Sequence, residues 1–252
     1  MVIAVVNSKG GVGKTATAVG LAAALAAPRR RVLLVDLDSQ ACASLWCGVS
    51  RNQLRPSAAS VLFEKYPILK AVRHTSTLHL DLLTGSLELA NADLALASVR
   101  GREVALRRLL ERVLPHYEVV ILDCPPGLSL LGVNAILAAD GVIVPVVAEP
   151  MAADALEATL QSIDRVRVRM HASGRLAGIL LTQIDPRRAV TRDTSERLRA
   201  AYREQVFHTE LRWTAALAAA PGAGRLPAAT DDFKRLAGEV LQRLTATRHE
   251  RP

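Results

Sequence analysis

Short apolar runs recur along the chain at 2–6, 32–35, 78–83, 119–122, 141–147 and 176–182, with a weaker one at 205–208. Most are continuous rather than alternating, the pattern of strands buried on both faces of a parallel sheet. Between most of them, helices are predicted over 15–26, 57–64, 87–97, 103–114, 153–170, 191–204 and 231–245. This alternation predicts an α/β fold: a doubly wound, mostly parallel sheet flanked by helices, with ligands beyond the carboxyl ends of the strands. No internal repeat or long linker interrupts it, so residues 1–252 read as a single domain.

Composition narrows the class. Half of the residues are hydrophobic but only 3% are aromatic, so the core must be built from Ala, Leu and Val. No run of 18 apolar residues occurs, so no membrane span is expected. The three cysteines, Cys42, Cys47 and Cys124, suggest no disulfide framework. With no signal peptide evident, a cytoplasmic location is expected. The net charge is +8, and residues 151–252 hold 17 Lys/Arg against 12 Asp/Glu, which favours polyanions such as DNA or anionic lipid.

The chemistry concentrates where the first apolar run ends. Residues 7–15 read Asn-Ser-Lys-Gly-Gly-Val-Gly-Lys-Thr. Lys9 and Lys14 are two of only five lysines, in a chain with twenty-seven arginines, so compact ammonium groups are called for in this loop. Gly10, Gly11 and Gly13 permit positive φ and a close approach to a ligand. The amides around Val12, together with the following helix N-terminus, make an anion nest. Lys14 suits β- and γ-phosphates and the Thr15 hydroxyl suits Mg2+. The run 32–35 ends in Asp36-Leu37-Asp38-Ser39-Gln40, placing Asp36 and Asp38 on the same side of a strand near the phosphate crevice. The run 119–122 ends in Asp123-Cys124-Pro125-Pro126-Gly127, a Walker B arrangement suited to Mg2+.

The loop departs from the usual Gly-x-x-x-x-Gly-Lys-[Ser/Thr] pattern, with Ser8 in the first glycine position, and resembles the deviant Walker A box of the ParA/MinD family of ATPases. The segments ending at Gln40 and starting at Asp123 resemble that family's Val-Asp-x-Asp-Pro-Gln and Asp-x-Pro-Pro motifs, with Ser39 replacing a proline. The resemblance implies an ATP-dependent homodimer, with ATP and Mg2+ as cofactors. Lys14 acts in cis and Lys9 reaches the partner's phosphates. The Ala16 amide meets the α-phosphate, Asp38 positions the attacking water, and Asp36 supports the phosphate loop and metal shell. Asp123 and Thr15 serve the metal, and Pro221 lies near the adenine. It further implies slow hydrolysis, non-specific DNA binding with nucleoid association, and a ParB-like or cargo adaptor protein that stimulates turnover. An arginine that relatives use for non-specific DNA binding has no clear match in the stretch Arg212-Trp213-Thr214-Ala215-Ala216, where Trp213 reads as a packing anchor. Arg187, Arg188, Arg192, Arg197, Arg199 and Arg203 are the replacements on offer. The alternatives are a MinD-like membrane-associated ATPase, which needs the apolar stripe near the C-terminus as an anchor, an iron–sulfur carrier and a non-hydrolysing adaptor. Cys124 reads as packing.

Overall fold

The computed structural model describes residues 1–212 and 230–246. Seven strands, β1 (Val2–Val5), β2 (Val32–Asp36), β3 (Arg73–His74), β4 (Leu80–Leu83), β5 (Val119–Asp123), β6 (Gly141–Val147) and β7 (Arg175–Thr182), form one sheet in the order β3-β4-β2-β5-β1-β6-β7. All pairings are parallel except β3 with β4. The helices among the described residues are α1 (Lys14–Leu25), α2 (Cys42–Trp46), α3 (Ala58–Phe63), α4 (Ile68–Ala71), α5 (Ala92–Ala95), α6 (Ala105–Leu110), α7 (Leu130–Ala138), α8 (Ala152–Arg169), α9 (Ala189–Tyr202) and α10 (Asp231–Ala246).

Alternate residues of the buried strands feed two cores. Ala4, Leu33, Val35, Val120 and Leu122 face one layer; Ile3, Val5, Val32, Leu34 and Ile121 face α1 and α10 on the other. With few aromatics, close packing relies on small residues. A Cβ built on Gly20 of α1 lies 2.3 Å from the Phe233 ring of α10, so the glycine is what lets these helices touch.

The predicted strands and most of the predicted helices appear, with informative differences. β4 starts at Leu80 rather than 78, because His79 takes φ 66 and Leu78 is solvent-exposed. The helix expected over 87–97 is a 3-10 turn, Leu87–Asn91, followed by the one-turn α5. That expected over 103–114 breaks into the 3-10 turn Arg102–Val104 and α6. The strand expected at 205–208 reduces to single parallel bridges, Val206 to Ile179 and Arg212 to Ile184. The chain there still runs beside β7. Outward carbonyls of that strand receive Phe207 N–H (to Ile179, 2.9 Å), Leu211 N–H (to Leu181, 2.9 Å) and the Arg243 guanidinium (to Ala177, 3.1 Å).

Candidate functional site

β1, β2 and β5 are adjacent, so their carboxyl ends bring the glycine loop, the Asp36–Asp38 segment and Asp123 together. Asp36 and Asp123 are paired in register. The loop turns into α1 at Gly13, whose φ of 85 no L side chain adopts comfortably. Gly11 is also left-handed at φ 73, and Gly10 is not among the positive-φ residues. No atom lies within 4 Å of a Cβ built on Gly10 or Gly11, so the space above this backbone is open to a ligand. A cavity of about 430 Å³ opens there, walled by Gly10, Gly11, Gly13, Lys14, Thr15 and Ala16 together with Asp38, Cys42, Trp46 and Pro126.

Inside this frame the charged groups divide into engaged and unengaged. The Lys14 ammonium is buried and donates to the Lys9 carbonyl at 2.8 Å, closing the loop on itself. Burial pushes its pKa down, against the opposing pull of Asp123. Lys9 is half-exposed and pairs with Glu149 at 3.2 Å, a surface contact of little strength. Asp36 is fully buried, and burial raises it to about 6 despite hydrogen bonds from the Ser44 hydroxyl (2.6 Å), Ser44 N–H (2.9 Å) and Asp38 N–H (3.1 Å). Asp36 therefore organises the turn that presents Asp38, and Asp38 itself lines the cavity. Asp123 is the outlier: fully buried, with neither carboxylate oxygen hydrogen-bonded among the described residues. Burial, and then the charge of Asp36, push its pKa well up; Thr15 and Lys14 are near enough to oppose this, although no Thr15 hydrogen bond is formed.

An unsatisfied buried carboxylate beside a phosphate-type nest and a threonine hydroxyl fits a hard divalent cation. Among the described residues no group of three or more His, Cys, Asp and Glu could hold a metal alone. The donor set thus suits an ion that shares its shell with ligand oxygens and water, as Mg2+ does.

Val12 is a buried wedge whose carbonyl accepts from Thr182 Oγ1 at 2.8 Å, while the Gly11 carbonyl accepts from Gln183 Nε2 at 2.6 Å. The pattern of the sequence did not single out Thr182 and Gln183; Thr182 ends β7 and Gln183 follows it, and only the topology brings them to a loop some 170 residues earlier. Asn7 was missed likewise: it is buried, donates to the Pro145 carbonyl (2.7 Å) and accepts from Lys9 N–H (2.9 Å). The Pro125–Pro126 turn is tied to the loop through Gly127 N–H to the Ser8 carbonyl, 3.1 Å. Cys124 is buried beneath it, in keeping with packing. Pro221 and Trp213 lie outside the described residues.

A family described as AAA domain matches residues 1–174. The sporulation initiation inhibitor protein Soj of Bacillus subtilis is 34% identical over 224 residues, covering 89% of this chain and 88% of Soj. The chromosome partitioning protein ParA of Caulobacter vibrioides is 34% identical over 252 residues, covering 96% and 94%. Among solved structures, the cobyrinic acid a,c-diamide synthase of Mycobacterium smegmatis with bound ATP analogue and magnesium superposes with a TM-score of 0.84 at 32% identity, covering 97% of this chain and 96% of that one. A glycine loop of this form at the carboxyl end of a parallel sheet, matched over nearly its whole length by these relatives, places the chain in the ParA/Soj-type P-loop ATPase family.

Proposed function

We propose that the chain is a Mg2+-dependent ATPase whose nucleotide state switches it between a monomer and a DNA-binding homodimer that segregates or positions a chromosome, a plasmid or another cargo. Asp123 carries the reading. Leaving a buried carboxylate unpaired is costly, and the cost falls beside the groups that would hold a nucleotide. Bound Mg2+ would neutralise charge on the β- and γ-phosphate oxygens. Thr15 and Asp123 would hold it.

The chain's own groups do the rest. The amides from Gly10 to Ala16 line the phosphates. Lys14 exchanges the Lys9 carbonyl for phosphate oxygens. Lys9 leaves Glu149 and completes the partner's site across a face-to-face dimer. Asp38 orients the attacking water, held in place by Asp36 beneath it. Hydrolysis is slow without a stimulating adaptor protein, and one domain spanning residues 1–252 carries the cycle in the cytoplasm, on the nucleoid when bound to DNA. The paired subunits double the contacts to DNA phosphates and so multiply affinity. A membrane-anchored alternative has less support: of the apolar stripe it would use, Phe233, Leu236, Ala237, Val240 and Leu244 are buried on α10 and Leu241 is partly buried against the same core.

The test is ATP turnover and DNA binding measured with ATP, ADP and no nucleotide across a salt series. Asp38→Ala is expected to bind ATP, dimerise and remain on DNA with turnover lost. Prompt hydrolysis by that variant would overturn the role of Asp38, and DNA binding indifferent to nucleotide would overturn the switch.

A further inference from the structure

At the amino-terminal end of β7, far from the glycine loop, a shallow cavity of about 630 Å³ opens along the outer margin of the sheet, walled by Arg175, Arg203, His208 and Arg243, with Glu204 as its acid. Arg203 and His208 are exposed and Arg175 is half-buried. Among the described residues none of these three is ion-paired to a carboxylate. Arg243 is fixed by neutral groups: it donates to the carbonyls of Ala177 (3.1 Å) and Val206 (2.9 Å) and lies 4.3 Å from the Phe207 ring centroid. Arg175 donates in turn to the Arg243 carbonyl. Glu239, the nearby acid on α10, is occupied by the backbone N–H groups of His208 and Thr209, each at 2.8 Å. Arg175 and Arg203 thus line the cavity with no carboxylate partner among the described residues, placed to meet an external anion.

The same strand ends, at its carboxyl terminus, beside a second basic cavity of about 510 Å³ walled by Arg187, Arg188 and Arg212, with Asp185 as its acid. Between the two, Arg199 of α9 ties down the 207–210 segment that flanks β7, donating to the Phe207 carbonyl at 2.9 Å and pairing with Glu210 at 2.8 Å, so the excess positive charge sits at the two ends. We infer that the outer margin of β7 is a phosphate-binding edge for duplex DNA, engaged at both ends, by Arg187 and Arg188 at one and by Arg175 and Arg203 at the other. This rests on the DNA-binding reading above and gives it a location and a length. Eight strand residues span about 26 Å, which matches about eight base pairs of duplex at 3.4 Å each. Two basic clusters set one strand length apart along a sheet edge suit a linear polyanion better than a lipid plane.

The experiment measures affinity of the full chain with ATP and Mg2+ for a random-sequence duplex across a salt series, with anionic phosphatidylserine vesicles as the comparison. Arg175→Gln/Arg203→Gln alters only the lower end, and Arg203→Gln alone serves if loss of the Arg175 contact disturbs folding. The slope of log affinity against log salt is expected to shrink by about 0.9 for each phosphate contact removed, so by about 2 for the pair, with basal ATPase unchanged and Arg203→Lys behaving as wild type. Arg187→Gln/Arg188→Gln is expected to act in the same direction. If the lower-end variants bind like wild type while the upper-end variant weakens, the two-ended contact is overturned and the DNA reading stands. If the unaltered chain binds no duplex in any nucleotide state, the DNA reading itself falls. Binding to vesicles in preference to duplex overturns the choice of ligand.

Discussion

Desolvation drives Asp123 and Lys14 in opposite directions on the pH scale, each toward its neutral form. A carboxylate selected only for stability of the isolated chain would not be buried without a hydrogen-bond partner, because taking an ionisable group out of water unpaired costs folding free energy. Asp123→Asn, which removes that unpaired charge, is therefore expected to stabilise the nucleotide-free protein by on the order of 1 kcal/mol. In a chain of this size that raises the melting temperature by about 2–4 °C. The same change is expected to weaken Mg2+-dependent ATP binding at least tenfold. Calorimetric melts with and without MgATP check both halves, and a variant that melts lower without nucleotide would contradict the argument. At this scale the sequence was legible where the chemistry is rare: lysines in an arginine-rich chain, glycines at a strand end, an aspartate after four apolar residues. It was silent about Thr182, Gln183 and Asn7, which act through common hydrogen bonds between residues remote in the chain. No local spacing encodes those.

Helix packing shows the same division. α1 and α10 meet because Gly20 leaves room for Phe233. Gly20→Ala is expected to cost about 1–3 kcal/mol by overpacking, although alanine is the better helix former. Gly20→Ala combined with Phe233→Leu should recover part of that loss, and a double-mutant cycle from urea titrations measures the coupling. Additive effects would mean that the two side chains do not meet. A glycine inside a helix is by propensity a mild defect; the reason for this one lies 213 positions later in the partner helix. α7 escaped notice for a related cause. Leu130–Ala138 is apolar nearly all round, so it shows no helical stripe, and its Asn134 is consumed internally by the Arg102 and Leu130 carbonyls and by Leu106 N–H. The strands were readable because continuous apolar runs have few other homes. The short helices α2 and α4 were not, because one turn carries too little periodicity to stand out.

Across the whole molecule, the two ends of the sheet do different work. The carboxyl ends of the strands hold the phosphate-loop machinery. Toward the opposite end, Asp81 is buried among the His74 ring (2.7 Å), the Tyr117 hydroxyl (2.8 Å) and the Arg31 guanidinium (2.9 Å). Burial alone would raise its pKa, but the hydrogen bonds from His74, Tyr117 and Arg31 more than reverse this and hold it below the usual carboxylate range. A carboxylate depressed on folding contributes stability that is fully present above its unfolded value, about 3.9, and is lost as pH falls through the folded value. The urea midpoint is therefore expected to drop as pH is lowered from about 5 toward 2. Asp81→Asn should be less stable at neutral pH and show a flatter acid limb; an unchanged acid limb would show that the cluster does not control it.

The outermost strand has a consequence for solution behaviour. Its outward carbonyls at Ala177, Ile179 and Leu181 are each covered, the first by the Arg243 guanidinium and the others by main-chain amides. A bare row of such acceptors is a template on which another molecule can add a strand. Arg243→Ala uncovers the end of that row, and light scattering during mild heating should register clumping at a temperature where the parent stays clear. An arginine on the last helix thus works as a guard against self-adhesion, and the protein's shelf life in concentrated solution should depend on it.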